Sequence, residues 1–315
     1  GLQDWLAHAW PGGPDLVVNA TGFSGGGARE RGDPGVAPFS RWSCPVFQVA
    51  LSTNRRRDWA GAERGLSPSD LNLAPDLYGG AAVLDRHALP AGEAAALKRL
   101  DDFLESCADY PDQRDRPDRD ATSGLSEALA VGEISPRTIW AIASKHTKDR
   151  SAVQKFLSEV AWREFAWHLL IEFPGIADRP WREEWKDFPW RRKNADFIAW
   201  SEARTGVPMV DAGMREMRVT GRMHNRVRML CASYLTKHLL TDWRLGERFF
   251  ADSLTDWDPA SNAMNWQWSA GSGPDATPFF RIFNPDTQAK RFDPDGEYRQ
   301  RWLGHHSSDA KDYFK

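Results

Sequence analysis

Apolar residues recur at helical spacing along most of the chain beyond residue 80. Ala96, Leu97, Leu100, Phe103 and Leu104 mark a helical pattern within Ala81 to Cys107. Val153, Phe156, Leu157, Val160, Phe165 and Leu169 form one apolar face over Val153 to Ile171, with no Gly or Pro inside. Val210, Met214 and Met217 mark a helix over Val207 to Val219. Val227, Leu230, Cys231, Tyr234, Leu235 and Leu239 mark another over Met223 to Leu240, and Thr220-Gly221 separates the two. Arg244 to Leu254 reads as a further helix, and period-two alternation is nearly absent after residue 80. Residues 1–80 are different in character, rich in Gly, Pro, Asp and Arg. Asp15 to Val18 reads as a short strand, and Phe23 to Ala28 and Arg31 to Gly35 read as loops. Asp109 to Asp120 is a charged, Pro-containing loop. The pattern predicts a mainly α fold: an irregular N-terminal segment over 1–80 and a helical body over 81–315.

Composition narrows the classes. The chain has 315 residues and a formal net charge of −3, so no global basic signature points to nucleic acid. A local patch would still suffice for phosphate contacts. Cys44, Cys107 and Cys231 are far apart and form no zinc spacing, which fits a reduced, cytoplasmic setting. No run of 18 apolar residues predicts a membrane span. The N-terminus has neither a signal-peptide pattern nor an initiator Met. The chain holds 16 Trp, far more than ordinary usage. Indoles are large amphipathic side chains whose N–H wants a partner when buried, so they either pack a large core or carry chemistry.

Candidate chemistry sits in four places. Asp256-Trp-Asp-Pro-Ala-Ser-Asn-Ala-Met-Asn-Trp-Gln-Trp268 sets two carboxylates, two Asn amides and three indoles in one short run. Asp256, Asp258 and Asn262 match neither an EF-hand loop nor a His-containing metal site, so no metal is expected. A flavin, whose ribose and pyrimidine edge want acceptors and whose N5 wants an amide, is the better match; singly, each residue also fits a cap or turn. Thr122-Ser-Gly-Leu-Ser126 precedes a helix-forming run and suits either a phosphate or ordinary helix capping. Glu159, Trp162, Arg163 and Ala166 share one helix face, as a base-reading set or as a surface ion pair beside a half-buried Trp. Arg215, Arg218, Arg222, Arg226 and Arg228, with His224 among them, form a phosphate track or a solvated face. Asn225 lies at that helix start, where it also suits an N-cap.

Together these motifs resemble the FAD-binding domain of the photolyase/cryptochrome family over roughly residues 80–303. The carriers are Tyr110-Pro-Asp-Gln-Arg-Asp115, Thr122 to Ser126, Phe156-Leu-Ser-Glu-Val-Ala-Trp-Arg-Glu-Phe165, Thr205-Gly-Val-Pro-Met-Val-Asp-Ala212, Met223-His-Asn-Arg-Val-Arg-Met229, Asp242-Trp243, Asp256 to Trp268 and Arg281-Ile-Phe-Asn-Pro285. The resemblance implies FAD held by Tyr110, Thr122, Ser123, Leu125, Ser126, Asp256 and Asp258, with Asn262 facing flavin N5. It implies an electron-transfer chain of Trp190, Trp243 and Trp266. Glu159, Trp162, Met229 and Trp268 would line a lesion pocket, and Arg114, Arg163, Asn225, Arg226, Arg228 and Gln288 would lie on the DNA face. Asn225 replaces the second histidine of (6-4) enzymes, Asn262 replaces the Asp or Cys of many cryptochromes, and three cysteines are too few for the iron–sulfur relatives. The implied activity is light-driven repair of cyclobutane pyrimidine dimers by a monomeric class I enzyme of bacterial type acting on damaged DNA. Residues 1–80 would be the end of an α/β antenna domain plus linker, and a separate antenna subunit remains open. Two alternatives stand: a cryptochrome-like photoreceptor, and a truncated relative without repair. Two departures from the family are Gly124, where many relatives carry Arg, and Gly304 to Lys315, which match nothing in it.

Overall fold

The computed structural model describes residues 80–274 and 282–304. The expected Asp15 to Val18 strand, the loops around it, most of the 1–80 segment and Arg281 lie outside the described residues. Those described belong to a unit running from Tyr78 to Lys315. They form helices: α1 Gly80–His87, α2 Glu93–Ser106, α3 Tyr110–Gln113, α4 Ser126–Ala130, α5 Pro136–Ala143, α6 Arg150–Glu172, α7 Ala195–Ser201, α8 Pro208–Thr220, α9 Asn225–Ser233, α10 Trp243–Ser253, α11 Pro259–Ala270, α12 Pro285–Phe292 and α13 Glu297–Leu303. Among the described residues the one extended pairing is an isolated parallel bridge, Arg191 to Thr241. The fold is mainly α, as the apolar spacing predicts.

The boundaries have local causes. The pattern expected over Ala81 to Cys107 is two helices, because Pro90 cannot continue α1 and Gly92 turns the chain at φ 97°. The loop expected over Asp109 to Asp120 contains α3. The helix expected from Met223 begins two residues later. His224 is its cap: Nδ1 accepts from the Arg226 N–H at 3.2 Å, so Asn225 is the first helical residue and not the cap. Beyond Ser233 the helix widens into a π turn, Tyr234–His238. Gly221, at φ 72°, ends α8.

The main core is built by α7 to α11 with α12 and α13. α8 packs on α13, and α11 packs on both α10 and α6. Gly246 of α10 sets the α10–α11 approach, since a Cβ there would overlap the Trp266 ring and meet Leu235 Cδ2 at 2.7 Å. Trp200, Trp243 and Trp266 are all fully buried. Many of the indoles therefore pack the core, whatever else some of them do. A second cluster joins α6 to α11 through Ala166, Leu169, Ala260, Ala263 and Met264, with Trp162 and Phe165 against it. Ala166 is thus buried, and the Glu159 to Ala166 face is polar at Glu159 and Arg163 and apolar at Trp162 and Ala166.

Candidate functional site

α11 is the centre of the site. Its first turn is capped by Asp258, whose Oδ1 accepts from the Ser261 N–H at 2.8 Å. The other oxygen of Asp258 accepts from Trp167 Nε1 at 2.9 Å and faces the Arg163 guanidinium at 3.1 Å. Arg163 also holds Glu164 at 2.8 Å. Arg163, expected on the DNA face, is therefore turned inward, and Asp258 is occupied by protein donors. Its work here is to tie α6 to the start of α11. One turn on, the Asn262 amide donates to Glu247 through both the backbone oxygen, at 3.0 Å, and Oε1, at 2.9 Å. Burial raises the Glu247 carboxyl above its ordinary value, against the lowering by that bond. With both amide hydrogens engaged, the Asn262 oxygen is the part left to meet a ligand.

Gln267 and Trp268 complete α11. Gln267 is fully buried. It accepts from the Trp181 N–H at 2.7 Å and donates to the Arg179 carbonyl at 2.8 Å and to Ile176 O, which pins residues 176–181 to the helix. Trp268 is half-buried and lies 6.3 Å from the Phe283 ring. The indole chain expected from the resemblance runs outward in burial: Trp266 and Trp243 are buried and Trp190 is partly exposed. The Arg191–Thr241 bridge holds the backbones next to Trp190 and Trp243 together, with Asp242 N–H to Arg191 O at 3.0 Å. Arg244 lies 4.7 Å over the Trp243 ring.

A polar cluster covers the other side of α6 and α9. Glu159 is ion-paired with Arg114 and, at 2.9 Å, with Lys155. Burial works to raise its carboxyl, but Arg114 and Lys155 outweigh that and hold it below the ordinary value. Arg114 also lies 5.5 Å over the Tyr110 ring. Arg226 pairs with Asp115 and stacks 4.5 Å over Phe292 of α12, the helix that carries Gln288. Asn225 is exposed, and its amide lies 3.8 Å from Met229 Sδ. Among the described residues, three buried atoms here lack partners: His224 Nε2, Arg226 Nε and Gln288 Oε1. Burial pushes the His224 imidazole down to about 4, so it is neutral.

Two further links lie near the cofactor motifs. Arg228 holds both oxygens of Asp256, at 2.8 and 2.9 Å, and the Met223 carbonyl at 2.7 Å. It too faces inward, away from the expected DNA role. The 122–126 loop shows no side-chain capping: Leu125 is the N-cap of α4 and makes no cap bond. The hydroxyls of Thr122, Ser123 and Ser126 have no partner among the described residues, and Leu125 is buried. Free hydroxyls, an open amide oxygen and the acidic edge at Asp256 form a donor–acceptor set that fits FAD.

Residues 156–314 match the sequence profile of the FAD binding domain of DNA photolyase. The chain belongs to that family. A deoxyribodipyrimidine photo-lyase of Agrobacterium fabrum is 50% identical over 216 residues, which cover 67% of this chain and 45% of the relative. The crystal structure of a bacterial class III photolyase from Agrobacterium tumefaciens superposes with a TM-score of 0.70 at 46% identity, covering 76% of this chain and 50% of that one. A Synechocystis cryptochrome superposes with a TM-score of 0.64 at 35% identity, covering 69% of this chain and 46% of that one. The chain spans about half the length of the curated relatives it matches. Within this FAD-binding domain, motif reading missed Asp115, Lys155, Trp167, Glu247 and Arg99. Asp115 stands in a quoted motif but was given no role, and the other four lie outside the quoted motifs. A single sequence offers no signal that Glu247 would face Asn262.

Proposed function

We propose that this chain binds FAD and repairs cyclobutane pyrimidine dimers in DNA under blue light. One observation carries the reading. Asn262, Trp266 and Trp268 all project from one helix, α11, with Asp258 as its N-cap, and the helix is held by Arg163 at Asp258, by Glu247 at Asn262 and by the bonds Gln267 makes to residues 176–181. Such rigidity is what positioning chemistry needs. Bound FAD would supply the light-driven one-electron chemistry for opening the cyclobutane ring. The protein's part is to bind and orient. Asn262, its amide spent on Glu247, offers its oxygen to flavin N5. Asp256, neutralised by Arg228, borders the pyrimidine edge. The Thr122, Ser123 and Ser126 hydroxyls would hold the phosphates, and Tyr110 and Leu125 would wall them.

Enzymes that act on a base, photolyases included, take it out of the stack. Trp162 and Trp268 would sandwich the dimer, with Met229 filling the side. Base–indole stacking of this kind is worth about 1–3 kcal/mol per base. Glu159, held as a carboxylate, would exchange a cation partner for the dimer's N–H, freeing Arg114 or Lys155 toward the backbone. Asn225, Arg226 and Gln288 would meet the flanking phosphates. Trp190, Trp243 and Trp266 would restore reduced FAD and take no part in ring opening. The reading calls on residues of one chain only and takes the active species to be a monomer.

The test is light-dependent repair of a dimer-containing oligonucleotide by purified, FAD-loaded protein. Repair that stops when Glu159 becomes Ala supports the reading. FAD binding without repair would favour the photoreceptor alternative, and absence of flavin absorption would reject both.

A further inference from the structure

The phosphate loop Thr122 to Ser126 carries no cation of its own, and the first turn of α4 brings Glu127. Glu127 is already matched by Arg222 at 2.7 Å and by the Thr255 hydroxyl at 2.5 Å. Two anionic phosphates placed on this loop would find no uncommitted positive charge within it. The structure supplies one from another helix. Arg99 of α2 reaches the loop, with Nη1 donating to the Gly124 carbonyl at 3.2 Å and Nη2 to the Pro90 carbonyl at 3.0 Å.

Gly124 makes room for that approach. Its φ is 59°, in the left-handed region, and a Cβ would stand 3.2 Å from Arg99 Cδ. A guanidinium has five N–H donors. Two hold carbonyls here, and the remaining donors of Arg99 have no partner among the described residues. The side chain is partly buried, where charge is screened less than at the surface.

We propose that Arg99 is the positioning residue for the cofactor's pyrophosphate: it shapes the 122–126 turn through Gly124 and carries to it the positive charge the loop lacks. The proposal rests on the FAD reading. Its chemistry is a charge-assisted hydrogen bond from guanidinium to phosphate, with no bond made or broken.

The experiment titrates apoprotein with FAD and, separately, with riboflavin, which has no phosphate, at low and high salt. Arg99→Gln shortens the side chain, keeps an amide NH2 donor and loses the charge. It should weaken FAD at least tenfold at low salt, flatten the salt dependence and leave riboflavin affinity within twofold. Arg99→Lys keeps the charge without the fork and should retain the salt dependence; it carries the test if Arg99→Gln does not fold. FAD affinity unchanged in Arg99→Gln, an equal loss for FAD and riboflavin, or a Lys variant that loses salt dependence would overturn the proposal, because Arg99 would then only brace two carbonyls. Wild-type protein that binds no FAD would instead sink the underlying FAD reading.

Discussion

The polar cluster around Glu159 and Arg226 and the indole core around Trp266 are built on opposite principles. In the cluster, one carboxylate has two cations, one guanidinium is split between an ion pair and a ring, and three buried polar atoms lack partners. Each such atom costs roughly 1–3 kcal/mol while unsatisfied. In the core, Trp200, Trp243 and Trp266 are closed off from solvent, and Trp200 Nε1 has its acceptor at Cys231 O, 3.2 Å away. One indole packed against it, Trp302, leaves its buried Nε1 without a partner among the described residues, against three such atoms in the cluster. Spare bonding capacity marks the region that has something to receive; close packing marks the region that must keep its spacing.

That contrast can be broken most directly at Gly246. Gly246→Ala drives a methyl into the Trp266 ring and should cost about 3 kcal/mol, the upper end for overpacking, measured by urea unfolding. A loss below about 1 kcal/mol would mean the core yields and is no tighter than the cluster.

Glu216 lies where the two regions meet. It accepts from the Tyr298 hydroxyl at 2.5 Å and lies 3.4 Å from the His224 N–H. Burial raises its carboxyl to about 7, against lowering by Tyr298, Arg228 and Arg301. The folded protein thus keeps a proton that the unfolded chain releases near 4.5. Stability from this group is full below pH 4.5, falls as pH rises to about 7, and stays lost above it. Glu216→Gln should exceed wild type by about 1–3 kcal/mol at pH 8 and match it below pH 4.5. A pH-independent difference would show that folding leaves the Glu216 carboxyl at its ordinary value.

Trp268→Ala sharpens the comparison on the receiving side. It should keep the fold and FAD but lower the preference for dimer-containing over intact DNA by about tenfold, in line with one stacking contact. Undiminished preference in a folded, FAD-loaded variant would remove Trp268 from the lesion pocket. The smallest effect is expected at Arg226. Arg226→Ala should weaken damaged and intact DNA alike and reduce the slope of log affinity against log salt by about 0.9. An unchanged slope would leave Arg226 to Asp115 and Phe292 alone.

The helices were legible because their apolar faces repeat: Val210, Met214 and Met217 need only a period to be read, and all three are buried. The polar runs led to the right family through their order. What single positions do was less legible. Arg163 and Arg228 read as surface charge, yet each turns inward to an aspartate distant in sequence. An arginine's partner is fixed by how helices pack, which the spacing along its own helix does not contain. Arg99 was invisible for the same reason, since its target, Gly124, is 25 residues away on another element.

One consequence of α11 concerns direction. Trp266, Gln267 and Trp268 are consecutive, and a helix advances each by about 100°. Trp266 therefore enters the core, Gln267 grips residues 176–181, and Trp268 turns toward Phe283. The two indoles, so near in sequence, look almost opposite ways with the helix backbone between them. On the proposed reading, traffic of electrons on one side and recognition on the other would be kept in separate compartments by nothing more than helical pitch, and a substitution in either compartment need not be heard in the other.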